Sequence, residues 1–131
     1  MITEDYVSFE TAKLLREKGF KEPTLAYAYG QDMVAYYSQP KVTEDYNVDG
    51  GRYPLSTLQM AIKWLREVHN IFIAIEIVPH VTVTMEQKYY FFKLYKDRRH
   101  YKSHLNDSVN LYHSYEETCE AAIKYCLENL I

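Results

Sequence analysis

Glycine, cysteine and long apolar runs are scarce in this sequence of 131 residues. Four glycines leave no glycine-rich loop of the kind that binds phosphates. The longest apolar stretch, 71–78, contains Glu76 and is much shorter than the roughly 18 apolar residues of a membrane-spanning helix. The N-terminal residues are acidic, whereas a secretory signal begins with basic residues. We therefore expect a cytoplasmic protein that does not enter a membrane.

The two cysteines, Cys119 and Cys126, lie seven residues apart in a segment with helical periodicity. Seven residues of helix separate their backbones by about 10.5 Å, and a disulfide needs α-carbons within about 7 Å. Two buried thiols are the simpler interpretation. A metal or redox pair is the alternative, although no further ligand has a zinc-finger spacing. His100 and His104 have a metal-ligand spacing only if their segment is helical, and its neighbours predict a loop, so we expect no metal and no cofactor.

Apolar residues make up 47% of the chain, charged residues 25% and aromatic residues 15%. These fractions are those of a folded protein, because a disordered chain is poor in aromatic side chains. A length of 131 residues predicts a single domain, 1–131.

The net charge of −3 is distributed unevenly along the chain. Residues 1–50 carry five Lys/Arg against nine Asp/Glu, residues 51–105 carry nine against four, and residues 106–131 carry one against five. The basic middle indicates either a nucleic-acid-binding face or a segment on which the acidic ends pack.

Three segments have the apolar spacing of amphipathic helices: 8–20 (SFETAKLLREKGF), 56–70 (STLQMAIKWLREVHN) and 114–131 (SYEETCEAAIKYCLENLI). Each begins with a serine that can act as the N-cap. Gln59 and Glu117, three residues after Ser56 and Ser114, complete the capping-box pattern. Asn70 tolerates the left-handed conformation that ends a helix.

Segments 25–29 and 33–37 are rich in β-forming residues and predict a hairpin that turns at 30–32. Residues 38–54 contain proline, asparagine and glycine, which favours a long surface connection. Further strands are predicted at 71–78, 81–85 and 88–95, with a turn at 86–87. We therefore predict an α+β fold of order α-ββ-α-ββ-α, in which three helices lie mainly on one face of an antiparallel sheet of four to five strands.

AIKWLRE at 61–67 resembles AIKYCLE at 122–128, and each segment lies on a capped helix that follows a pair of strands. A duplicated ββα unit explains this similarity. Coincidence between two amphipathic helices explains it equally well, because the strand regions share no matching letters.

The helical stretches 6–20, 54–71 and 114–131 resemble a family of short, uncharacterised bacterial proteins found beside prophages and mobile elements of gut anaerobes. The likeness covers the three helices and leaves the hairpins unmatched. It implies a small accessory protein of phage or mobile-element origin, and it implies no catalytic residue.

Residues 88–104 carry six Lys/Arg against one acid, Asp97, with tyrosines between them. Cations neutralise phosphates and aromatic rings stack on unpaired bases, so this mixture is typical of single-stranded nucleic-acid binding. A solvated edge strand protected by lysines has the same composition. The candidate contacts to nucleic acid or a partner are Lys93, Tyr95, Lys96, Arg98, Arg99, Tyr101 and Lys102.

Nine of the fourteen tyrosines lie around the first hairpin and the long connection or around the second hairpin: Tyr27, Tyr29, Tyr36, Tyr37, Tyr46, Tyr53, Tyr89, Tyr90 and Tyr95. A sheet covered by helices on one face leaves alternate side chains on the other, and exposed tyrosine is enriched in protein interfaces. A small domain with 15% aromatic residues also needs rings in its core, so we expect most of these tyrosines to pack beneath the helices and a few to line an interface. The candidate interface residues are Tyr29, Tyr36, Tyr37 and Tyr89.

Residues suited to catalysis have other uses in this sequence. The prominent serines are predicted helix caps, both cysteines lie on a core stripe, and the carboxylate pair 116–117 lies in a first helical turn, where acids stabilise the helix. We therefore expect a non-enzymatic protein that binds an unidentified partner protein or a second copy of itself. Nucleic-acid binding through 88–104 is the alternative.

Overall fold

A computed structural model describes residues 2–31, 33–41, 52–78, 89–97, 99–103 and 111–131. These residues form three helices and six strands. In chain order the elements are α1 (Phe9–Glu17), β1 (Thr24–Gly30), β2 (Met33–Lys41), β3 (Tyr53–Leu55), α2 (Leu58–His69), β4 (Ile71–Ile77), β5 (Tyr90–Lys96), β6 (Arg99–Ser103) and α3 (Tyr115–Asn129).

All three predicted helices are confirmed, with ends shifted by a few residues. Ser8 caps α1, since its side chain accepts a hydrogen bond from the Thr11 backbone N–H. The predicted Ser56 cap of α2 is wrong. Thr57 is the N-cap, while Ser56 is buried and its hydroxyl donates to the Thr57 carbonyl oxygen. Asn70 ends α2 in the left-handed conformation, with φ of 56°.

Ser114 caps α3 as predicted, with its side chain accepting from the Glu117 backbone N–H. The Glu117 carboxylate reaches one residue further back than a capping box requires, and accepts from the backbone N–H of His113. The expected apolar stripe is buried and includes Cys119, Ala122, Ile123 and Cys126. Both cysteines are therefore buried free thiols, as the spacing predicted.

The first sheet has the strand order β2-β1-β3, and its pairs are antiparallel. The predicted hairpin at 25–37 is confirmed as β1 and β2. The prediction of a surface connection over 38–54 is wrong at both ends, because β2 continues to Lys41 and β3 (Tyr53–Leu55) pairs with β1. The remainder of that connection lies outside the described residues.

The second sheet has the order β4-β5-β6 and is also antiparallel. The strands predicted at 71–78 and 88–95 are confirmed as β4 and β5, and they pair in a register that runs from Ile71 opposite Lys96 to Ile77 opposite Tyr90. Residues 99–103, predicted as a loop, form β6. The strand predicted at 81–85 and the turn predicted at 86–87 lie outside the described residues.

The α+β class and the antiparallel pairing are confirmed, but the single sheet of four to five strands is wrong. The described strands form two sheets of three strands each, and the element order is α-βββ-α-βββ-α. In the first sheet the central strand is β1, the first of the three in the chain, whereas in the second sheet it is β5, the second of the three. This difference gives no support to a duplicated ββα unit.

One hydrophobic cluster joins both sheets to the helices. It contains Ala26 and Ala28 from β1, Phe92 and Leu94 from β5, and the buried stripe of α3. One face of each sheet therefore packs on helices, and the opposite face carries the alternate side chains. Among the described residues, no helix has the length and apolar character needed to cross a membrane.

Candidate functional site

The outer face of the first sheet carries aromatic side chains that are exposed or half-buried. Along β1, the side chains of Thr24, Ala26 and Ala28 are buried, while Leu25 and Tyr29 are exposed and Tyr27 is half-buried. This alternation follows from the two-residue period of a strand, with small residues placed against the core. We call the outward set the tyrosine face, and it consists of Leu25, Tyr27, Tyr29 and Tyr37 with Arg52.

The rings of the tyrosine face contact one another across the hairpin. The ring centroids of Tyr27 and Tyr37 lie 4.6 Å apart with planes inclined at 31°, and those of Tyr27 and Tyr29 lie 6.3 Å apart. The Arg52 guanidinium lies 5.4 Å from the Tyr27 ring centroid. Aromatic pairs contribute about 0.5–1.5 kcal/mol beyond their buried area. The face is therefore held in one arrangement while half of Tyr29 remains open to solvent.

Strand β2 extends the aromatic surface to an edge of the sheet. Val34 and Tyr36 stand opposite Ala28 and Ala26, so both belong to the helix-side face, yet Tyr36 is 64% exposed. The Tyr6 ring meets Tyr36 edge-on at 6.0 Å. Burial, followed by electrostatic interactions with Tyr36 and Glu4, raises the pKa of the Tyr6 hydroxyl, which is therefore protonated at neutral pH.

Three of the four predicted interface tyrosines gather around the first hairpin. Tyr29 and Tyr37 belong to the tyrosine face, and Tyr36 lies on the opposite side of the same edge strand. Tyr89 is separate from them, since it precedes β5 and its ring lies 5.2 Å from that of His113. The structure therefore brings Tyr29, Tyr36 and Tyr37 together and leaves Tyr89 elsewhere.

The basic segment 88–104 is divided between two faces of the second sheet. Lys93 and Tyr95 lie on the outer face, and Lys93 forms a 3.2 Å ion pair with Glu76 of β4. Lys96 points to the other face, where its ammonium donates a 3.0 Å hydrogen bond to the Leu130 carbonyl oxygen at the end of α3. A cation at a helix C-terminus satisfies free carbonyl groups. Lys93 and Lys96 therefore have structural partners and do not share one surface.

The other candidates of that segment are placed only in part. Arg99 is exposed and pairs through its backbone with Lys96. The backbones of Tyr101 and Lys102 belong to β6, with Lys102 opposite Leu94. Their side chains are not among the described parts of the structure. Arg98 lies outside the described residues.

A cavity of about 610 Å³ lies where the N-terminal segment meets the first half of α3. Two of its carboxylates lie at helix N-termini: Glu117 accepts from the His113 N–H at the start of α3. At the start of α1, Glu120 accepts hydrogen bonds from the Ser8 N–H and from the Thr11 hydroxyl, the latter at 2.6 Å. The lining residues are Asp5, Tyr6, Ser8, Leu58, Tyr112, Glu116, Glu117, Glu120 and Ala121.

The two thiols have the chemistry of core residues. Burial raises the pKa of Cys119 to about 11 and that of Cys126 to about 12, so both are protonated at neutral pH and are poor nucleophiles. Within the described ranges, no three side chains of His, Cys, Asp or Glu lie close enough together to hold a metal ion.

Sequence reasoning missed Arg52 and Glu120. Arg52 falls in the segment predicted as a surface connection, and nothing in that segment indicates that β3 brings the guanidinium over Tyr27. Glu120 reaches a serine 112 positions earlier in the chain. Both roles depend on long-range packing, which periodicity and capping patterns do not encode.

Comparison with known proteins adds no assignment to this geometry. No protein-family model, no curated protein and no solved structure matches this chain. A functional inference must therefore come from the surfaces described above.

Proposed function

We propose that this is a small, non-enzymatic accessory protein of phage or mobile-element origin that binds another protein through the tyrosine face. One observation carries the proposal: on the outer face of the first sheet the Tyr27 ring contacts the rings of Tyr29 and Tyr37, and Arg52 lies over Tyr27. Tyrosine and arginine are the residues, with tryptophan, that contribute most binding energy in protein interfaces.

The contacts among these rings reduce the entropy cost of binding. An interface loses free energy when flexible side chains are immobilised, at about 0.5–1.5 kcal/mol for each. Tyr27 and Tyr37 are already ordered by their 4.6 Å ring contact. A partner that packs on these rings immobilises little, so most of the apolar burial contributes to affinity.

A photo-crosslinker placed on the tyrosine face tests the proposal. We would replace Tyr29 by p-benzoylphenylalanine, irradiate the native host cells and compare the adducts with those from the same group at Lys63, an exposed position on α2. We expect an adduct of defined mass from position 29 only. Excess wild-type chain should suppress it, and excess Tyr37→Ser should not. Equal adducts from both positions, or none from position 29, contradict the proposal.

Nucleic-acid binding through 88–104 is the second candidate function. It is favoured by one observation: Tyr95 and Lys93 lie on the same outer face of the second sheet, next to the exposed ring of Phe72. A ring beside a cation is the arrangement that stacks on a base and neutralises its phosphate. The ion pair of Lys93 with Glu76 weakens this candidate, because that cation is already partly neutralised.

A further inference from the structure

The cavity of about 610 Å³ between the N-terminal segment and α3 has the size of a small-molecule site. Such sites usually measure about 300–1,000 Å³ and combine apolar walls with a few fixed polar groups. Tyr6, Leu58, Tyr112 and Ala121 provide apolar surface in this cavity. The rest of its described lining consists of Ser8 and four carboxylates, without a lysine, arginine or histidine.

The two tyrosines of the cavity are held in place by the chain around them. Tyr6 forms an antiparallel bridge with Thr57, and Tyr112 forms one with Tyr90. The ring of Tyr112 also stacks on Phe92, with centroids 6.2 Å apart and planes inclined at 27°. Burial raises the pKa of the Tyr112 hydroxyl, so this ring, like that of Tyr6, is neutral at pH 7. Neutral tyrosine rings attract organic cations that lie within about 6 Å of the ring centroid.

The four carboxylates of the cavity have no cationic partner among the described residues. Glu117 and Glu120 are fixed by hydrogen bonds from backbone N–H groups at helix N-termini. Glu117 uses only Oε2 in this way, and its Oε1 accepts no hydrogen bond within the described part of the chain. The side chains of Asp5 and Glu116 are exposed and form no hydrogen bond or ion pair with any described residue. Acceptor capacity therefore remains on three of the four carboxylates.

A second cavity shows that acidic residues elsewhere on the surface are compensated. This cavity of about 260 Å³ lies between α1 and α3, and its lining contains three glutamates and two lysines. One of the lysines, Lys124, pairs with Glu10 at 3.1 Å. The larger cavity instead keeps an excess of four negative charges. Because a concave site with charges of one sign concentrates ions of the opposite sign, its ligand should be a cation.

The spacing of the carboxylates distinguishes between kinds of cation. Within the described ranges, no three acidic side chains lie close enough together to hold a metal ion. Glu116, Glu117 and Glu120 follow one turn of α3. Residues three or four positions apart on a helix have Cβ atoms about 5–6 Å apart, which is similar to the separation of two nitrogens joined by three or four methylene groups. The carboxylates therefore match ammonium groups along a flexible apolar chain.

We propose that this cavity binds a linear polyamine. Its ammonium groups contact the carboxylates of Asp5, Glu116 and Glu117, and its methylene groups pack on the rings of Tyr6 and Tyr112. A lysine or arginine side chain of a partner protein brings a single charge and leaves most of these carboxylates unpaired. The cavity includes no residue of the tyrosine face, so this inference goes beyond the proposed function and does not depend on it.

Calorimetric titration of the full chain with spermidine at low ionic strength tests the proposal. We expect one spermidine per chain, with an affinity that falls as salt is added, because salt screens exposed charges. Propylamine has one ammonium group and should bind about tenfold more weakly or less. Mg²⁺ has the charge of a diamine but no methylene chain, so it should displace spermidine less effectively than 1,3-diaminopropane does.

A double variant tests whether the cavity is the site. Asp5→Asn/Glu116→Gln removes the two carboxylates that make no described contact within the chain, and should weaken spermidine binding about tenfold at low ionic strength. The matched control, Glu17→Gln/Glu128→Gln, removes two exposed carboxylates of α1 and α3 and changes the net charge equally. We expect the control to bind spermidine as the wild type does. Circular dichroism checks that both variants fold.

Backbone amide NMR of the wild-type chain locates the ligand without any substitution. Spermidine should shift the amide signals of Tyr112, Glu117 and Ala121, which belong to the cavity, and leave that of Tyr29 unchanged. These shifts, together with a loss of affinity in the cavity variant alone, support the inference.

Four results would overturn it: no saturable binding, equal losses in the two double variants, displacement by Mg²⁺ as effective as by 1,3-diaminopropane, or amide shifts outside the cavity. Binding of a tetralysine peptide at the cavity without binding of spermidine would also overturn it, and would assign the cavity to a basic segment of a protein. None of these results affects crosslinking from position 29, so the proposed function is judged separately.

Discussion

Glu120, in the middle of α3, provides the anion at the start of α1, where its carboxylate accepts hydrogen bonds from both the backbone N–H and the hydroxyl of Ser8. The N-terminus of a helix has free N–H groups and a positive dipole end, both of which favour a carboxylate. Lys124 on the same helix pairs with Glu10 at 3.1 Å. Two contacts of opposite polarity therefore fix α3 against α1.

Removal of the Glu120 carboxylate should destabilise the protein. We expect Glu120→Ala to lower the free energy of unfolding by about 1–2 kcal/mol, because the Ser8 N–H and the Thr11 hydroxyl lose a charged acceptor. Glu128→Ala, an exposed glutamate on the same helix, is the control and should change it by less than about 0.5 kcal/mol. Urea unfolding followed by circular dichroism measures both. Equal effects of the two variants would refute the capping role.

Asn70 and Asp97 both adopt positive φ, at 56° and 53°, and the Asn70 side-chain amide donates a 3.0 Å hydrogen bond to the Asp97 carboxylate. We expect Asn70→Ala to cost about 1–2 kcal/mol, since alanine is more strained than asparagine in the left-handed region and cannot make the hydrogen bond to Asp97. Asn70→Gly removes that strain and loses only the hydrogen bond, so it should cost less. Thermal unfolding of the two variants compares them. A glycine variant less stable than the alanine variant would contradict this explanation.

His69 should make the stability pH-dependent. Burial, and secondarily the charge of Lys96, lowers the pKa of this imidazole below the 6.5 of an unperturbed histidine, and its Nε2 is buried with no hydrogen-bond partner among the described residues. The folded state therefore binds fewer protons than the unfolded state. The His69 contribution to the free energy of unfolding is therefore fully present above about pH 6.5, and it is lost as the pH falls from there towards the folded pKa.

Urea midpoints at pH 7.5 and 5.5 measure this effect. The difference between the two midpoints should shrink in His69→Gln and persist in His113→Gln, whose parent histidine is exposed. A midpoint difference unchanged by His69→Gln would assign the pH dependence to other groups.

Nucleic-acid titration distinguishes the two candidate functions. With labelled single-stranded and duplex DNA and RNA at two salt concentrations, protein binding through the tyrosine face predicts no salt-dependent affinity. Affinity that falls with salt and disappears in Arg98→Glu/Arg99→Glu would instead favour the 88–104 segment, with the slope giving the number of phosphate contacts. Arg66→Glu/Lys63→Glu on α2 controls for the change in net charge.

The helices were predictable because their signals are local. Ser8, Ser114 and Asn70 mark helix ends through contacts within a few residues, and the apolar stripes follow the helical period. The Ser56 prediction is wrong because Ser56 and Thr57 are adjacent and either can cap a helix. Burial of Ser56, whose hydroxyl donates to the Thr57 carbonyl oxygen, leaves Thr57 as the N-cap.

The division into two sheets was not predictable, because strand pairing is non-local. Three residues, Tyr53–Leu55, complete the first sheet from within a proline- and glycine-rich segment. Lys96 belongs to a segment whose composition resembles that of a nucleic-acid-binding surface. Its ammonium instead donates a hydrogen bond to the Leu130 carbonyl oxygen at the C-terminus of α3. Tyr36 and Tyr37 are both named as interface candidates from composition, and only the register of β2 with β1 shows that Tyr37 lies on the outer face with Tyr29 whereas Tyr36 lies on the other face.

The buried thiols of α3 provide a measure of how the molecule opens. Cys119 and Cys126 lie about two turns apart on the same face of α3. Both are completely buried in the core that α3 forms with the two other helices and the second sheet. A thiol reagent can reach either sulfur only after α3 has separated from those neighbours. Under native conditions, equal labelling rates at the two positions would therefore mean that α3 detaches as a unit. Faster labelling of one thiol would mean that the helix unravels from that end.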